Sequence, residues 1–343
     1  MGCLGDVAGL KIGHMQDLSG LTGVTVVLAE DGAVGGVSVL GGAPGTRETD
    51  LLRPSYTVDV IHAVFLAGGS AFGLDCARGV VQYLEERGVG LPVHPARVPL
   101  VAGAIVFDLD VGDFRARPTA EMAYSAACAA RATDDSRGSI GAGTGATVGK
   151  LFGHEFAMKG GVGVASGQIE GFTVGALVVV NAAGDIYDPG SGRIVAGAYD
   201  RKEGRFLAAW GKTGGLEGGG RGLFNGGSGV VGGSFCRNTT IGVVAVDASL
   251  VKEEVSRLAL MAQAGLARAI RPVFTPYDGD TMFALATGKS SKQMPDQRGE
   301  RSRILTAIGS VGQELVSRAI LDAVVSAETL GGIPSVREIS AGR

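Results

Sequence analysis

Residues 214–248 read GGLEGGGRGLFNGGSGVVGGSFCRNTTIGVVAVDA, and the character of the chain changes within this stretch. The part from 214 to 233 contains too much glycine for a helix or a regular strand, so we expect a mobile linker there. From residue 239 onward the sequence is apolar and β-branched, which predicts a strand over 239–247. At such a boundary a chain can be cut while its new amino terminus, Thr239, stays fixed in the strand.

The composition indicates a compact protein. Of 343 residues, 45% are hydrophobic and 19% are charged, which argues against disorder. The net charge of −3, without any basic stripe, argues against nucleic acid as a partner. No apolar stretch reaches membrane-spanning length and the first residues do not match a signal peptide, so we expect a cytoplasmic protein with no membrane partner. The four cysteines and four histidines are scattered, so no His/Cys metal site is expected.

Apolar, β-branched segments alternate with segments of helical periodicity along the chain. The predicted strands are 23–28, 35–40, 62–67, 100–109, 161–165, 172–180, 239–247 and 281–287, and the predicted helices are 73–87, 121–131, 249–270 and 302–327. Strands of mostly apolar residues need cover on both faces. The pattern therefore predicts an α/β fold of layered sheets and helices.

The segment GAGTGATVGK at 141–150 has the look of a phosphate-binding loop, but its spacing does not fit. A Walker loop ends in Gly-Lys-Ser/Thr, and here Leu151 follows Lys150. Ala146 stands where the dinucleotide fingerprint requires its third glycine. We therefore expect no nucleotide site, and Lys150 taken alone is typical of a solvated surface lysine.

The pair Asn238-Thr239 admits two interpretations. A Thr at the start of a strand needs no function, because Thr is a good strand former. If the chain is cut before Thr239, however, this residue carries both a hydroxyl nucleophile and an α-amine, and a pKa of about 8 makes that amine a workable base.

The acidic segment YDGD at 277–280 is also ambiguous. Asp-Gly is a turn signal, and a turn before the strand at 281 is the simpler interpretation. Asp278 and Asp280 could instead bind a divalent metal, although no partner ligand stands nearby in the sequence.

Six segments, spread in order over most of the chain, resemble the L-aminopeptidase/D-amidase-esterase family of self-processing hydrolases, peptidase family S58. This family includes the β-peptidyl aminopeptidases and the nylon-oligomer hydrolase. The matching segments are GGAPGTRETDLL at 41–52, FLAGGSAFGLD at 65–75, GAGTGATVGK at 141–150, VVVNAAG at 178–184, NTTIGVVAVDA at 238–248 and DGDTMFALATG at 278–288.

The resemblance implies a layered α-β-β-α sandwich, of the type also found in ornithine acetyltransferase, self-cleavage before a Ser or Thr, and no metal or organic cofactor. Thr239 matches the nucleophile and Asn238 the residue before the cut. The other matching positions are a lysine near the nucleophile (Lys150), an asparagine that stabilises the oxyanion (Asn181), and two acidic positions beside the nucleophile (Asp278 and Asp280).

On this basis residues 1–343 form one hydrolase domain that cuts itself into 1–238 and 239–343. The implied partner is a small peptide or amide substrate, and the implied assembly is a homo-oligomer, a tetramer. The aminopeptidase branch of the family has Ser as nucleophile and Ser-x-Glu in place of Asp278 and Asp280, which leaves the substrate and its stereochemistry open. An acyltransferase of the ornithine acetyltransferase type and an uncleaved, non-catalytic binding protein remain alternatives. Whether Lys150 or the Thr239 α-amine is the base also remains open.

Overall fold

A computed structural model describes residues 2–208 and 238–341, so the predicted linker at 214–233 lies outside the described residues. The helices are α1 (Cys76–Glu85), α2 (Ala120–Ala129), α3 (Lys252–Ala269), α4 (Arg298–Ser326) and α5 (Val336–Ala341). The strands are β1 (Lys11–Asp17), β2 (Thr22–Val39), β3 (Thr46–Arg47), β4 (Val60–Ala67), β5 (Leu91–Val93), β6 (Ala96–Val98), β7 (Val101–Ile105), β8 (Thr147–Val148), β9 (Met158–Lys159), β10 (Gly161–Ile169), β11 (Phe172–Asn181), β12 (Asp185–Tyr187), β13 (Ile194–Ala196), β14 (Tyr199–Asp200), β15 (Arg205–Phe206), β16 (Thr239–Val246), β17 (Ile270–Arg271) and β18 (Thr281–Ala286).

The main sheet has nine strands in the order β10-β11-β16-β18-β2-β4-β7-β3, with β1 added beside β2. The pairs β16/β18 and β4/β7 are parallel, and the remaining neighbours are antiparallel. The predicted mixture of strands and helices is therefore confirmed at the level of a mixed α/β fold.

Strand β2 corrects one sequence prediction. The strands predicted at 23–28 and 35–40 are a single strand, which pairs with β1 and β4 in its first half and with β18 in its second. Its register with β4 shifts between Leu28 and Ala33. Gly32 lies in this interval with φ of +85°, a conformation that glycine adopts without a Cβ clash. The interruption in the apolar pattern is thus an irregularity within one strand.

Strand β1 was not predicted, because its sequence KIGHMQD lacks a run of apolar residues. Ile12 is fully buried, but four of the seven residues are only partly buried. The pairing with β2 over seven positions supplies the ordering that the local sequence does not.

Three apolar clusters account for most of the core, and burial of such surface is the main favourable term in folding. Helices α3 and α4 cover one face of β10, β11, β16 and β18 in the first cluster. The opposite faces of β11, β16 and β18 pack with β1, β2, β4 and β7 in the second, and α1 and α2 cover β2, β4 and β7 in the third. Because side chains alternate along a strand, Thr239 shares the face of Ile241 in the second cluster, whereas Thr240 shares that of Val244 in the first.

Helix α4 also differs from expectation. By length and composition it could cross a membrane, whereas the sequence pattern predicts no stretch of membrane-spanning length. Half of its most apolar window is buried, and it packs against β10, β11 and α3. This burial is what is expected of a core helix.

Candidate active site

Two strand ends bring predicted site residues together. Asn181 is the last residue of β11 and Thr239 the first of β16, and the two are Cα partners across the antiparallel pair. Directly opposed residues place their Cβ atoms about 5 Å apart on the same face of the sheet. Sheet register therefore juxtaposes the matched nucleophile with the matched oxyanion residue.

The Thr239 hydroxyl faces the peptide bond before it. Thr239 is 5% exposed, and its Oγ1 donates a hydrogen bond of 2.5 Å to the carbonyl oxygen of Asn238. The same oxygen accepts a hydrogen bond of 3.0 Å from the backbone N–H of Gly279. The carbonyl that self-cleavage would attack thus lies between a hydroxyl and a backbone amide.

The side-chain amide of Asn181 is oriented by its partners. Its Oδ1 accepts from the backbone N–H of Thr147 at 3.0 Å and from Lys150 Nζ at 3.0 Å, while its Nδ2 donates to the carbonyl of Phe107 at 2.8 Å. Donors on one side and an acceptor on the other assign the oxygen and nitrogen positions unambiguously. Asn181 is fully buried.

Lys150 is placed by the glycine-rich segment that contains it. Gly149 donates its N–H to the carbonyl of Gly184 and Lys150 donates its N–H to that of Ala183, so this segment runs beside the residues that follow Asn181. Lys150 Nζ also donates to the backbone carbonyl of Asn181 at 3.1 Å. The expectation of a solvated surface lysine is therefore wrong: the side chain is partly buried and bound to Asn181.

The acidic pair Asp278 and Asp280 is buried beside Thr239. Asp278 Oδ2 accepts from the N–H of Thr275 at 2.7 Å, and Asp280 accepts from the N–H groups of Thr240 at 2.6 Å and Phe274 at 3.1 Å. Burial raises the pKa of Asp278, and the positive charge of Lys150 partly opposes this. Burial and the negative charge of Asp278 raise the pKa of Asp280 to about 7. A turn precedes the strand as predicted, but it spans Thr275–Asp278, where the Asp278 N–H donates to the Thr275 carbonyl, and is not centred on the Asp-Gly pair. Asp278 pairs with Asn238 in a parallel bridge that continues the β16/β18 register.

Sequence reasoning missed two buried charged side chains close to these residues, Lys159 and Asp108. Lys159 is fully buried, and its Nζ donates to the carbonyl of Thr144 at 2.6 Å. Burial lowers the pKa of Lys159 to about 7. The negative charge of Asp108 partly opposes this shift, and the positive charge of Lys150 adds to it by a smaller amount. Asp108 follows Phe107, whose carbonyl accepts a hydrogen bond from Asn181. Burial raises the pKa of the Asp108 carboxyl. No sequence signal marks Lys159, because a single lysine before a strand carries no pattern.

These groups match the requirements of acyl transfer from an amide. The site holds a hydroxyl group, hydrogen-bond donors near a carbonyl oxygen, an ammonium group and buried carboxyls whose pKa values are raised. Within residues 2–208 and 238–341, no cluster of three or more His, Cys, Asp or Glu side chains is arranged to hold a metal ion.

Comparison with known proteins gives consistent results. A sequence model of peptidase family S58 matches residues 2–337. An uncharacterized aminopeptidase of Mycobacterium tuberculosis is 41% identical over 361 aligned residues, which cover 100% of this chain and 99% of that protein. The 6-aminohexanoate-oligomer endohydrolase of Paenarthrobacter ureafaciens is 29% identical over 327 residues, covering 93% of this chain and 84% of that protein.

Among solved structures, the L-aminopeptidase D-Ala-esterase/amidase of Ochrobactrum anthropi superimposes with a TM-score of 0.70 at 18% sequence identity. The match covers 97% of this chain and 88% of that one. That structure is described as a variant of the Ntn hydrolase fold, and at this identity the likeness shows the fold alone.

Proposed function

The chain belongs to peptidase family S58 and is a hydrolase of amide bonds, and from this premise we propose that it cuts itself before Thr239 and then uses Thr239 as an amino-terminal nucleophile. One observation carries the proposal: the Thr239 hydroxyl contacts the carbonyl of Asn238 while that carbonyl is held by a backbone amide.

Self-cleavage proceeds in two steps. Thr239 Oγ bonds to the carbonyl carbon of Asn238, the C–N bond breaks, and the hydroxyl proton passes to the departing nitrogen of Thr239, so that an ester replaces the peptide bond. Water then hydrolyses the ester, which leaves a carboxylate on Asn238 and restores the hydroxyl. The first step needs a base other than the Thr239 amine, because that nitrogen is still part of the peptide bond.

In the mature enzyme the same hydroxyl attacks the carbonyl of a peptide or small linear amide. The free α-amine of Thr239 or Lys150 accepts the proton, and Asn181 donates toward the oxyanion. Asp278 and Asp280 orient the new ammonium group, since Asp280 already binds the amide of the adjacent residue, Thr240. Aminopeptidase and oligomer endohydrolase activities among the relatives support this substrate class.

The proposal includes one domain, built as a layered α-β-β-α sandwich, that is cut into 1–238 and 239–343. The three apolar clusters support the layering, because two lie between helices and strands and one lies between strands. Both pieces contribute to the first and second clusters, so we expect them to stay associated after scission.

Intact mass and denaturing gels of the purified protein test the proposal. We expect pieces of 238 and 343 − 238 = 105 residues, the smaller beginning at Thr239, together with hydrolysis of an amino-acid anilide. An active protein that remains one uncut chain would contradict the mechanism. Addition of an amine acceptor separates hydrolysis from acyl transfer, because only a transferase would form the new amide in preference to the free acid.

A further inference from the structure

We propose that the backbone N–H of Gly279 is the oxyanion donor for self-cleavage: it stabilises the negative charge that develops on the Asn238 carbonyl oxygen when Thr239 attacks. This inference rests on the proposed function, because it concerns the cleavage of the Asn238–Thr239 bond. It adds a catalytic group that the family resemblance did not supply, since Gly279 was interpreted only as part of a turn.

The geometry singles out this amide. The Gly279 N–H donates at 3.0 Å to the Asn238 carbonyl oxygen, the atom on which negative charge develops when Thr239 attacks. Asn181, the residue matched to oxyanion stabilisation, donates its Nδ2 to the carbonyl of Phe107. Gly279 is therefore a donor that already contacts the reacting oxygen in the uncut chain.

The segment Asp278–Asp280, which carries Gly279 and follows the turn, is held from several sides. The carbonyl of Asp278 accepts from the N–H of Ala43 at 2.8 Å, and that of Asp280 accepts from the N–H of Leu40 at 3.1 Å. The Asp280 carboxyl accepts from the N–H of Thr240, which ties this segment to strand β16 itself. A donor fixed in this way stabilises developing charge without reorganisation during the reaction.

The closeness of the Thr239 hydroxyl explains why position 279 is a glycine. A Cβ atom at position 279 would lie 2.8 Å from Thr239 Oγ1 and 3.0 Å from the carbonyl oxygen of Ala43. The absence of a side chain thus lets one backbone amide and one hydroxyl reach the same carbonyl oxygen. The Asp-Gly-Asp segment thus carries a donor between the two acidic residues.

The same amide is placed to act in the second step. After the acyl shift, the Asn238 acyl group is an ester on Thr239 Oγ, which is chemically an acyl-enzyme. Attack of water again builds negative charge on the Asn238 oxygen, and bond breaking returns the pair of electrons to Thr239 Oγ with a proton. Loss of the Gly279 donor therefore slows scission whichever step limits the rate.

The test replaces one N–H by an ester oxygen in the full-length chain, by in vitro translation with an α-hydroxy acid. Gly279→glycolate removes the donor and adds no side chain. We expect scission at residue 238 to slow by about 100- to 1,000-fold, the usual loss for one oxyanion donor. Mass spectrometry distinguishes pieces cut at residue 238 from pieces cut at the introduced ester.

Two matched variants control the experiment. A backbone ester also weakens the Asp278 carbonyl as an acceptor, so Ala43→(S)-lactate removes the N–H that this carbonyl binds. Gly299→glycolate places an ester in the first turn of α4, where helix N–H groups have no intrahelical acceptor. We expect both variants to cleave close to the wild-type rate.

The outcomes are separable. Wild-type scission by Gly279→glycolate would overturn the inference, and so would an equal loss in Ala43→(S)-lactate, because the loss would then come from the weakened Asp278–Asp280 segment. If the wild-type chain itself is never cut, the proposed function fails instead.

Discussion

Asn181 and Thr239 are Cα partners at the ends of two neighbouring antiparallel strands, and their side chains leave the same face of the sheet. Alternation along β11 and β16 puts Leu177 and Ile241 on that face as well, within the second apolar cluster. The site is thus the polar end of a row of buried apolar side chains. A change of one residue in the strand register would send one of the two side chains to the other face.

The first prediction separates two adjacent hydroxyls. Thr239→Val removes the hydroxyl that contacts the Asn238 carbonyl and keeps the side-chain shape, so we expect no scission and no turnover. Thr240→Val is the matched control, because Thr240 Oγ1 is buried without a hydrogen-bond partner within residues 2–208 and 238–341. Denaturing gels of both variants show whether each chain is cut at residue 238. Scission at residue 238 in Thr239→Val would show that another nucleophile or an outside protease cuts the chain.

The second prediction concerns the donor role of Asn181. Asn181→Ala should slow turnover by ~100-fold or more without abolishing it, because one oxyanion donor is lost while Thr239 remains. Asn181→Asp lacks the amide N–H groups but keeps an oxygen that can accept from Lys150 Nζ. Equal losses in the two variants support the donor role, whereas recovery in Asn181→Asp would mean that Asn181 acts by holding Lys150.

The third prediction tests Lys150 as a base. Lys150→Met should slow self-cleavage at least as much as turnover of mature material, because the Thr239 nitrogen is not a free amine before scission. Lys150→Arg keeps a cation that can donate to Asn181 but does not lose its proton at neutral pH. Scission rates measured by gel densitometry distinguish the roles. Full recovery in Lys150→Arg would restrict Lys150 to positioning and electrostatics.

The fourth prediction follows from the raised pKa of Asp280. Burial and the Asp278 charge raise this pKa from 3.8 to about 7, so between these values the folded chain holds a proton that the unfolded chain releases. This proton makes its full contribution to the free energy of unfolding below about pH 4, and the contribution is lost as the pH rises through about 7. Asp280→Asn, neutral at every pH, should show a smaller fall in the free energy of unfolding over this window.

Urea unfolding of Asp280→Asn in the Thr239→Val background measures this slope on uncut protein. The absolute stability will also fall, because an amide cannot accept from both Thr240 and Phe274. The slope is the readout, and a slope equal to that of the parent would contradict the prediction. Asp278 and Asp108, whose pKa values burial also raises, contribute to the dependence that remains.

The fifth prediction concerns Lys159, for which the dependence of stability on pH has the opposite sign. Burial lowers the pKa of Lys159 from 10.5 to about 7, so between these values the unfolded chain binds a proton that the folded chain does not. The contribution of Lys159 to the free energy of unfolding should therefore increase as the pH rises from about 7 toward 10.5. This contribution should be lost as the pH falls back through about 7. Lys159→Met should remove this rise. Unfolding curves at pH values on both sides of the window check it, and an unchanged slope would show that Lys159 is charged in the folded chain throughout.

The sequence determined the elements and the family. Apolar periodicity predicted β11, β16, β18 and the two long helices α3 and α4, and the six matching segments indicated the family whose model matches the chain. These features are readable because each depends on residues close together in the sequence. The resemblance also named Thr239, Asn181 and Lys150 before any contact between them was known.

The tertiary structure decided which groups meet. The pairing of Asn181 with Thr239 and the contact between Gly279 and the Asn238 carbonyl join positions far apart in the chain. The continuity of β2 depends on its pairing with β4 and β18, and the burial of Lys159 depends on the packing around it. A sequence pattern records the local preference of each segment, but not the register at which strands pair. Hydrogen bonds and pKa shifts depend on that register, and for this reason Lys159 and the Gly279 amide carry no signal in the sequence.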